Sequence, residues 1–145
     1  MTAGLIVLVV ALGASAAAGL TWRQRNGTMR APRPAPASAA VSGGPALTSE
    51  ELGVPLGSRA TLVQFSTAFC APCRATRRIL AEVAGMVDGV SHVEIDAESR
   101  LDLVRSLNVR RTPTVLVLGP DGQIARRASG QPRKADVIAA LGEVP

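Results

Sequence analysis

The chain has 145 residues, which is the length of one ordinary domain with a single core. Its formal net charge is +5, but four arginines and no acids precede Glu50, and from that residue on twelve basic side chains face eleven acidic ones. The part of the chain from Glu50 on is therefore nearly neutral and has no predicted basic patch. Aromatic residues, which could stack on bases, make up only 2% of the sequence, so we expect no nucleic-acid partner.

The first element is an uncharged apolar stretch, residues 3–20. As a helix it would measure about 27 Å, close to the roughly 30 Å of a bilayer core. Trp22 follows where an interfacial aromatic is expected. The alternative is a cleaved signal peptide, for which residues 14–18 offer two small-residue cleavage patterns, although no basic residue precedes the apolar stretch. We predict an uncleaved, single-pass transmembrane anchor.

The charges beside this stretch predict its orientation. Arg23 and Arg25 lie only on its C-terminal side, and basic flanks tend to stay in the cytoplasm. We therefore expect the protein in the cell membrane with its domain on the cytoplasmic side. An extracytoplasmic domain is the alternative.

A tether and a domain are predicted to follow. Residues 21–47 are rich in Pro, Ala, Ser and Gly and show no apolar period, which is typical of a linker. The domain is expected over residues 48–145. It opens with Thr48-Ser49-Glu50-Glu51, which has the spacing of a helix capping box.

The apolar patterns of the domain predict the order α, β, α, β, α, β, β, α. This order indicates an α/β fold with a central mixed sheet and flanking helices, in which helices join parallel strands and a hairpin ends the sheet. In the helix after the cysteines, Ala75, Ile79, Val83 and Met86 share a helical spacing and are predicted to face the core.

The only two cysteines are Cys70 and Cys73, at the junction of a predicted strand and a predicted helix. A structural zinc site requires four ligands, and His92 is the only histidine, so we expect no metal. Inert core cysteines remain possible. A redox pair explains the spacing best, because the helix N-terminus favours a thiolate at Cys70 and Cys73 lies one turn away.

From Thr48 to Pro145 the sequence resembles the thioredoxin family. "FCAPC" is similar to the family's W-C-G-P-C motif, with Phe69 in place of the tryptophan. "RTPT" at 111–114 resembles the cis-proline loop, "EID" at 94–96 a strand end, and Gly130 a small residue that faces the active site. The resemblance implies a three-layer thioredoxin-like fold, a cis Thr112-Pro113 bond, and substrate contacts at Phe69, Thr112, Pro113 and Gly130.

The sequence also departs from the family pattern. Gln64 stands where the family buries an acid beneath the disulfide, and His92 replaces a frequent lysine partner. Arg78 replaces a helix-kinking proline. Gln64 and His92 are therefore candidates for handling the proton of the resolving cysteine, with His92 as a plain strand residue as the alternative.

The predicted function is that of a membrane-tethered thiol-disulfide oxidoreductase of the bacterial type, which reduces protein disulfides. Cys70 is the expected nucleophile and Cys73 the resolving residue, with no cofactor beyond the dithiol. The expected partners are protein thiols and disulfides and an unknown electron donor. Two alternatives stay open: a redox-silent docking module with the same fold, and an outward-facing thiol oxidase.

Overall fold

In a computed structural model of the protein, the described part of the chain comprises residues 2–31 and 46–144. The greater part of the predicted tether, residues 32–45, lies outside the described residues, as do Met1 and Pro145. The helices and strands are α1 (Thr2–Arg25), α2 (Ser49–Leu52), β1 (Ala60–Ser66), α3 (Ala71–Met86), β2 (Val90–Asp96), α4 (Leu101–Ser106), β3 (Thr114–Leu118), β4 (Ile124–Ser129) and α5 (Lys134–Gly142). From α2 onward their order is the predicted one.

The strands form one mixed sheet in the order β2-β1-β3-β4. β1 runs parallel to β2 and antiparallel to β3, and β3 runs antiparallel to β4. All seven residues of β1 are buried, because this central strand is covered on both faces and its sequence is mostly apolar. The predicted α/β architecture is confirmed.

Two hydrophobic clusters fill the domain. One contains Val63 and Phe65 of β1 together with Leu103 of α4, and the other contains Leu62 of β1 with Leu80 of α3 and Val137 of α5. Neighbouring residues of β1 fall into different clusters, since side chains alternate between the faces of a sheet. The sheet therefore separates an α4 side from an α3 side.

The buried stripe of α3 matches the predicted one only in part: Val83 is buried and Ile79 packs against the core as predicted. The stripe consists of Cys73, Thr76, Leu80 and Val83, whereas Met86 is 60% exposed. Apolar residues at both 79 and 80 fit two phases of a 3.6-residue period, and the helix adopts the phase that turns Cys73 inward. Met86 is the last residue of α3, where the chain leaves the core.

α1 extends past the predicted span to Arg25, and its side chains from residue 4 to residue 24 are exposed. Gly4–Gln24 has a mean hydropathy of 2.1, and this is the one helix in the described ranges that is long and apolar enough to cross a membrane. A signal sequence has the same character. The helix is thus a candidate span.

The described ends of the predicted tether contact the sheet. Gly27 and Arg30 form backbone hydrogen bonds with β4, Ala46 pairs with Gln123, and Leu47 is buried in the core. The predicted capping box is present: the Thr48 hydroxyl accepts a bond from the Glu51 amide, and the Glu51 carboxylate accepts one from the Thr48 amide. Contacts of the domain therefore begin before Thr48.

Candidate active site

Cys70 and Cys73 form a disulfide at the start of α3, with their Cα atoms 5.2 Å apart. Cys70 is the N-cap residue, and its Sγ accepts a hydrogen bond of 3.1 Å from the Cys73 amide. Pro72 lies in the first turn, where its missing N–H leaves no helical bond unmade. Cys73 is only 2% exposed, whereas Cys70 is half-buried. An incoming molecule therefore meets Cys70 first.

The electrostatic surroundings of Cys70 favour a negative sulfur once the disulfide is reduced. The first turn of α3 contains no acid, and Arg74 is exposed one residue beyond Cys73. The unpaired N–H groups and partial positive charge at a helix N-terminus lower the pKa of a thiol placed there. This arrangement suits a nucleophilic thiolate at Cys70.

The loop with the cis peptide bond lies beside the approach to the disulfide. Thr112-Pro113 is cis, as the resemblance implied. The hydroxyls of Thr112 and Thr67 are 3.2 Å apart and hydrogen-bonded, which ties this loop to the segment leading from β1 to Cys70. Gly130 donates its N–H to the Pro113 carbonyl at 2.7 Å. The backbone around the disulfide is thus fixed on the Pro113 side.

Phe69 is completely exposed next to Cys70. A fully solvated aromatic ring has no structural partner in the described residues, so its position offers a contact surface to another molecule. Of the residues predicted to contact substrate, Phe69 and Thr112 present side chains, whereas Gly130 and Pro113 supply backbone.

Gln64 lies directly beneath the disulfide and is fully buried. Its Nε2 donates to the carbonyl oxygen of Cys73 at 2.9 Å and to Ser66 Oγ at 2.8 Å. Its Oε1 is buried and accepts no hydrogen bond from the described residues. A neutral side-chain amide does not take up a proton near neutral pH, so the contacts of Gln64 position Cys73 and do not supply a base.

Sequence reasoning missed three members of this polar group, Ser66, Arg77 and Glu94. Glu94 pairs in register with Gln64 across β1 and β2, and Ser66 hydrogen-bonds its carboxylate. Arg77 of α3 holds the same carboxylate with two contacts, at 2.5 and 2.8 Å. Burial works to raise the pKa of Glu94, but the hydrogen bonds from Arg77 and Ser66 outweigh it and lower the pKa. "QFS" at 64–66 and "EID" at 94–96 are the last residues of the two parallel strands, and aligning them could have located Glu94 beside Gln64.

His92 occupies a position further from the disulfide. It pairs in register with Leu62, two pairs before the Gln64-Glu94 pair and further from the end of β1 that leads to Cys70. Burial lowers its pKa and outweighs the attraction of the nearby Glu94 carboxylate. Its Nε2 is buried with no hydrogen-bond partner in the described part of the chain. Among the acid-base side chains, Glu94 therefore lies closer in register to Gln64 than His92 does.

Within residues 2–31 and 46–144, no group of three or more His, Cys, Asp or Glu side chains could hold an ion.

The thioredoxin family model matches residues 47–143. The chain belongs to the thioredoxin family. Thioredoxin C-2 of Corynebacterium nephridii is 32% identical over 73 residues, which cover 50% of this chain and 68% of that protein. Thioredoxin H4-1 of Oryza sativa subsp. japonica is 28% identical over 83 residues, or 57% of this chain and 63% of the relative.

Solved structures agree with this membership. The chain is similar to chloroplastic thioredoxin z, with a TM-score of 0.57 and 26% identity, over 72% of this chain and 96% of that one. Mitochondrial thioredoxin 3 of Saccharomyces cerevisiae shares the fold, with a TM-score of 0.52 and 20% identity over 59% and 78% of the two chains. Against Thioredoxin-2 of Pyricularia oryzae, the match spans only 45% of the relative's length, at 27% identity over 53% of this chain.

Proposed function

We propose that the protein is a membrane-anchored thiol-disulfide oxidoreductase that reduces disulfides of other proteins. The observation that carries the proposal is the asymmetry of the cysteine pair: Cys70 is accessible at a helix N-terminus, and Cys73 is buried behind it. Membership of the thioredoxin family supports the same chemistry. The electrons reside in the dithiol, so the reaction requires no further cofactor.

The reaction has two exchange steps. The Cys70 thiolate attacks one sulfur of a substrate disulfide; a mixed disulfide forms, the substrate bond breaks, and the departing substrate thiolate takes a proton from solvent. The Cys73 thiol then gives up its proton to a base or to solvent, and its thiolate attacks Cys70 Sγ; the mixed disulfide breaks, and the second substrate sulfur leaves as a thiolate that takes a proton from solvent. The substrate gains two electrons, and the protein is left in the disulfide form that the structure shows. A dithiol donor returns the pair to its reduced state.

Substrate contacts are proposed around this bond. Thr112 precedes the cis bond, and its main chain would pair with an extended substrate segment, while Phe69 would pack against the side chains next to the substrate disulfide. Pro113 and Gly130 would limit the approach from the other side. Gln64 and His92 remain candidates for influencing the proton of Cys73, and the contacts of Gln64 and the register of Glu94 add the Ser66-Glu94 pair to them.

Single-cysteine variants test the assignment of the pair. We expect Cys73→Ser to accumulate mixed disulfides on non-reducing gels, because the second step is blocked, and Cys70→Ser to trap almost none, because its remaining thiol is buried. Cys70→Ser is thus the matched control. Equal trapping by the two variants would refute the assigned roles. A reduction potential far outside the physiological range would favour a redox-silent docking module, and one well above about −200 mV a thiol oxidase.

The anchor and its orientation are part of the proposal. The exposed apolar surface of α1 supports a membrane span, which we propose is uncleaved, and the arginines that follow it favour a cytoplasmic domain. We expect the protein to resist alkaline carbonate extraction and Cys70 to be protected in intact cells from a membrane-impermeant thiol reagent. Labelling of Cys70 in intact cells would place the domain outside, and an N-terminus near residue 17 or 19 would show a cleaved leader.

A further inference from the structure

The segment that follows α1 pairs with the edge of the sheet. Gly27 N–H donates to the Ser129 carbonyl at 3.0 Å, Arg30 N–H donates to the Arg127 carbonyl at 2.8 Å, and Arg127 N–H donates to the Arg30 carbonyl at 2.7 Å. The bridge between Arg30 and Arg127 is antiparallel. Residues 27–30, which we call the docking segment, therefore lie along the outer edge of β4 and are hydrogen-bonded to it at Gly27 and Arg30.

The direction of pairing fixes where α1 meets the domain. β4 runs toward Gly130, whose amide is bonded to Pro113 beside the disulfide. Because the docking segment is antiparallel to β4, its first residue, Gly27, lies at this active-site end. The chain returns to the domain at Ala46, which pairs with Gln123 at the other end of β4. The candidate membrane helix is thus joined to the same end of the domain as Cys70.

The connection contains no free linker. The Asn26 amide still donates to the Trp22 carbonyl as part of the last turn of α1, and the next residue is already paired. Gly27 is buried with φ +79°, and a Cβ there would collide with the Gln131 carbonyl. The Asn26 side chain packs so closely on Gly130 that a Cβ at that glycine would overlap it. This close approach ties the helix end directly to the active-site backbone.

The short connection limits the distance between the active site and the bilayer. Asn26 is six positions beyond Leu20, the last residue of the apolar run, which is a rise of about 9 Å along a helix. The polar layer on each side of a bilayer core is about 5 to 8 Å thick. Because the Asn26 side chain contacts Gly130, the backbone at Gly130 can lie only slightly further from the edge of the hydrocarbon than Asn26 does.

The charges at this end match a membrane surface. Arg74, Arg111 and Arg133 are exposed near the disulfide, before Thr112 and after Gly130 respectively. Asp96 is the last residue of β2 and Glu98 follows it, so both lie at the opposite edge of the sheet from the docking segment. Basic side chains beside the anchor are attracted by anionic headgroups. These charges therefore favour an orientation in which the β4 side of the active-site end faces the lipid headgroups.

We propose that the docking segment holds the redox-active end of the domain at the membrane surface, and that its substrates are disulfides of membrane proteins close to that surface. This inference rests on the proposed function, since it requires both an uncleaved anchor and a reactive Cys70. It adds a class of substrate: a disulfide in the first residues outside a transmembrane span, which reaches Cys70 without leaving the headgroup region.

Fluorescence quenching tests the orientation. The full chain, with Trp22→Phe and Phe69→Trp, is placed in vesicles of phosphatidylcholine and phosphatidylglycerol that carry a nitroxide near the headgroup. We expect strong quenching of the tryptophan at position 69. The control protein keeps Trp22→Phe, retains Phe69 and carries Asp88→Trp instead. Asp88 is exposed between α3 and β2 at the far end of the sheet, so we expect little quenching there. Equal quenching at the two positions would overturn the orientation.

Two variants test the role of the docking segment. Gly27→Val introduces the collision with Gln131, and Gly53→Val is its matched control, because Gly53 has a similar φ of +72° but no atom within 4 Å of an added Cβ. We expect Gly27→Val alone to lose quenching at position 69. A flexible Gly-Ser insert of about 12 residues between Arg25 and Asn26 leaves the domain sequence intact and should have the same effect. Unchanged quenching with the insert would contradict the proposal.

The substrate class is tested with two reporters in the same vesicles. In one, a disulfide loop directly follows a transmembrane helix; in the other, a helical spacer of about 30 residues raises the loop by about 45 Å. We expect the near disulfide to be reduced at least about 10-fold faster, because the shared membrane raises its effective concentration at Cys70. The long Gly-Ser insert should remove the preference, and equal rates with the unmodified protein would refute it.

Soluble insulin separates this inference from the proposed function. If insulin and both reporters are reduced but without preference, the oxidoreductase stands and the membrane-surface substrate class is wrong. If neither insulin nor a reporter is reduced while quenching at position 69 persists, the proposed function fails and the orientation stands.

Discussion

The two faces of β1 differ at the end that carries the disulfide. On the α4 side, Val63 and Phe65 continue the apolar core to the end of the strand. On the α3 side, Leu62 is followed by Gln64 and Ser66, both buried and hydrogen-bonded. β1 thus presents an apolar face toward α4 and a polar face toward α3 within the same few residues.

This difference assigns folding stability and disulfide chemistry to different faces of β1. Apolar burial is the main source of folding free energy, whereas buried polar groups are tolerated only when they are paired. Gln64 leaves its Oε1 without a partner among the described residues beneath Cys73. The polar face therefore contributes less to stability than an apolar face would, and we infer that its role concerns the sulfur chemistry above it.

The largest loss of stability is expected from a change on the apolar face of β1. Phe65→Ala removes a fully buried ring and should reduce the free energy of unfolding by about 3 to 5 kcal/mol. The rate of disulfide exchange per folded molecule should change little, because Phe65 faces away from the α3 side. Urea denaturation and an insulin-reduction assay at low temperature measure the two quantities. A large loss of rate with intact folding would contradict the division between faces.

The next effect is expected on the polar face, from Gln64→Asp. A carboxylate there can accept the Cys73 proton, so release of the mixed disulfide should accelerate, with general base catalysis of about 10²- to 10⁴-fold as the upper limit. Burial raises the pKa of the new carboxyl above its unfolded value. The variant is therefore most stable at low pH, and its melting temperature should fall as pH rises toward the raised pKa.

Gln64→Asn is the matched control, because it shortens the side chain equally without adding an acid. Stopped-flow reduction of a model disulfide should show acceleration only in the Gln64→Asp variant. Equal rates for the Gln64→Asp and Gln64→Asn variants would mean that position 64 only packs the core, and the proton of Cys73 would then pass to another group or to solvent.

A smaller effect concerns His92 and pH. Because burial lowers its pKa, the folded protein binds fewer protons at this site than the unfolded chain. Stability should therefore decline as pH falls from the ordinary histidine value of about 6.5 toward the lowered one. His92→Gln should flatten this part of the curve, measured by denaturation at a series of pH values. Parallel curves for the two proteins would show that His92 titrates alike in both states.

The smallest effect is expected from Glu94→Gln. The pair with Arg77 is partly exposed, so near neutral pH the variant should be only slightly less stable. The lowered pKa of Glu94 gives stability that is present above its unfolded value and lost as pH falls through the folded one. Thermal unfolding in mildly acidic buffer should show a weaker pH dependence for the variant. An unchanged acid slope would mean that the pair does not contribute.

Sequence patterns were sufficient for most of the architecture. The strands and helices from α2 onward alternate as predicted because their apolar periods are distinct, and Cys70 and Cys73 lie at a strand-helix junction that the sequence itself marks. Gln64 was located beneath Cys73 through the family resemblance, and its bond to the Cys73 carbonyl agrees.

Other features depend on tertiary contacts that no local pattern contains. The phase of α3 was ambiguous because Ile79 and Leu80 are both apolar, and only packing against β1 decides between them. The position of Glu94 beside Gln64 follows from the register of two strands about thirty residues apart in the chain. The pairing of Arg30 with Arg127 joins a proline-rich region to the last strand, and its sequence has no strand period.

The pairing of Arg30 with β4 has a practical consequence for purification. β4 is the last strand in the sheet order, and its Arg127 N–H, Arg127 C=O and Ser129 C=O groups are hydrogen-bonded to the segment after α1. A domain truncated to begin at Thr48 would lose that cover and present these groups to solvent. Unpaired strand backbone is a template for intermolecular association. Such a truncated domain should therefore self-associate through β4, and a version that starts at Asn26 should stay monomeric.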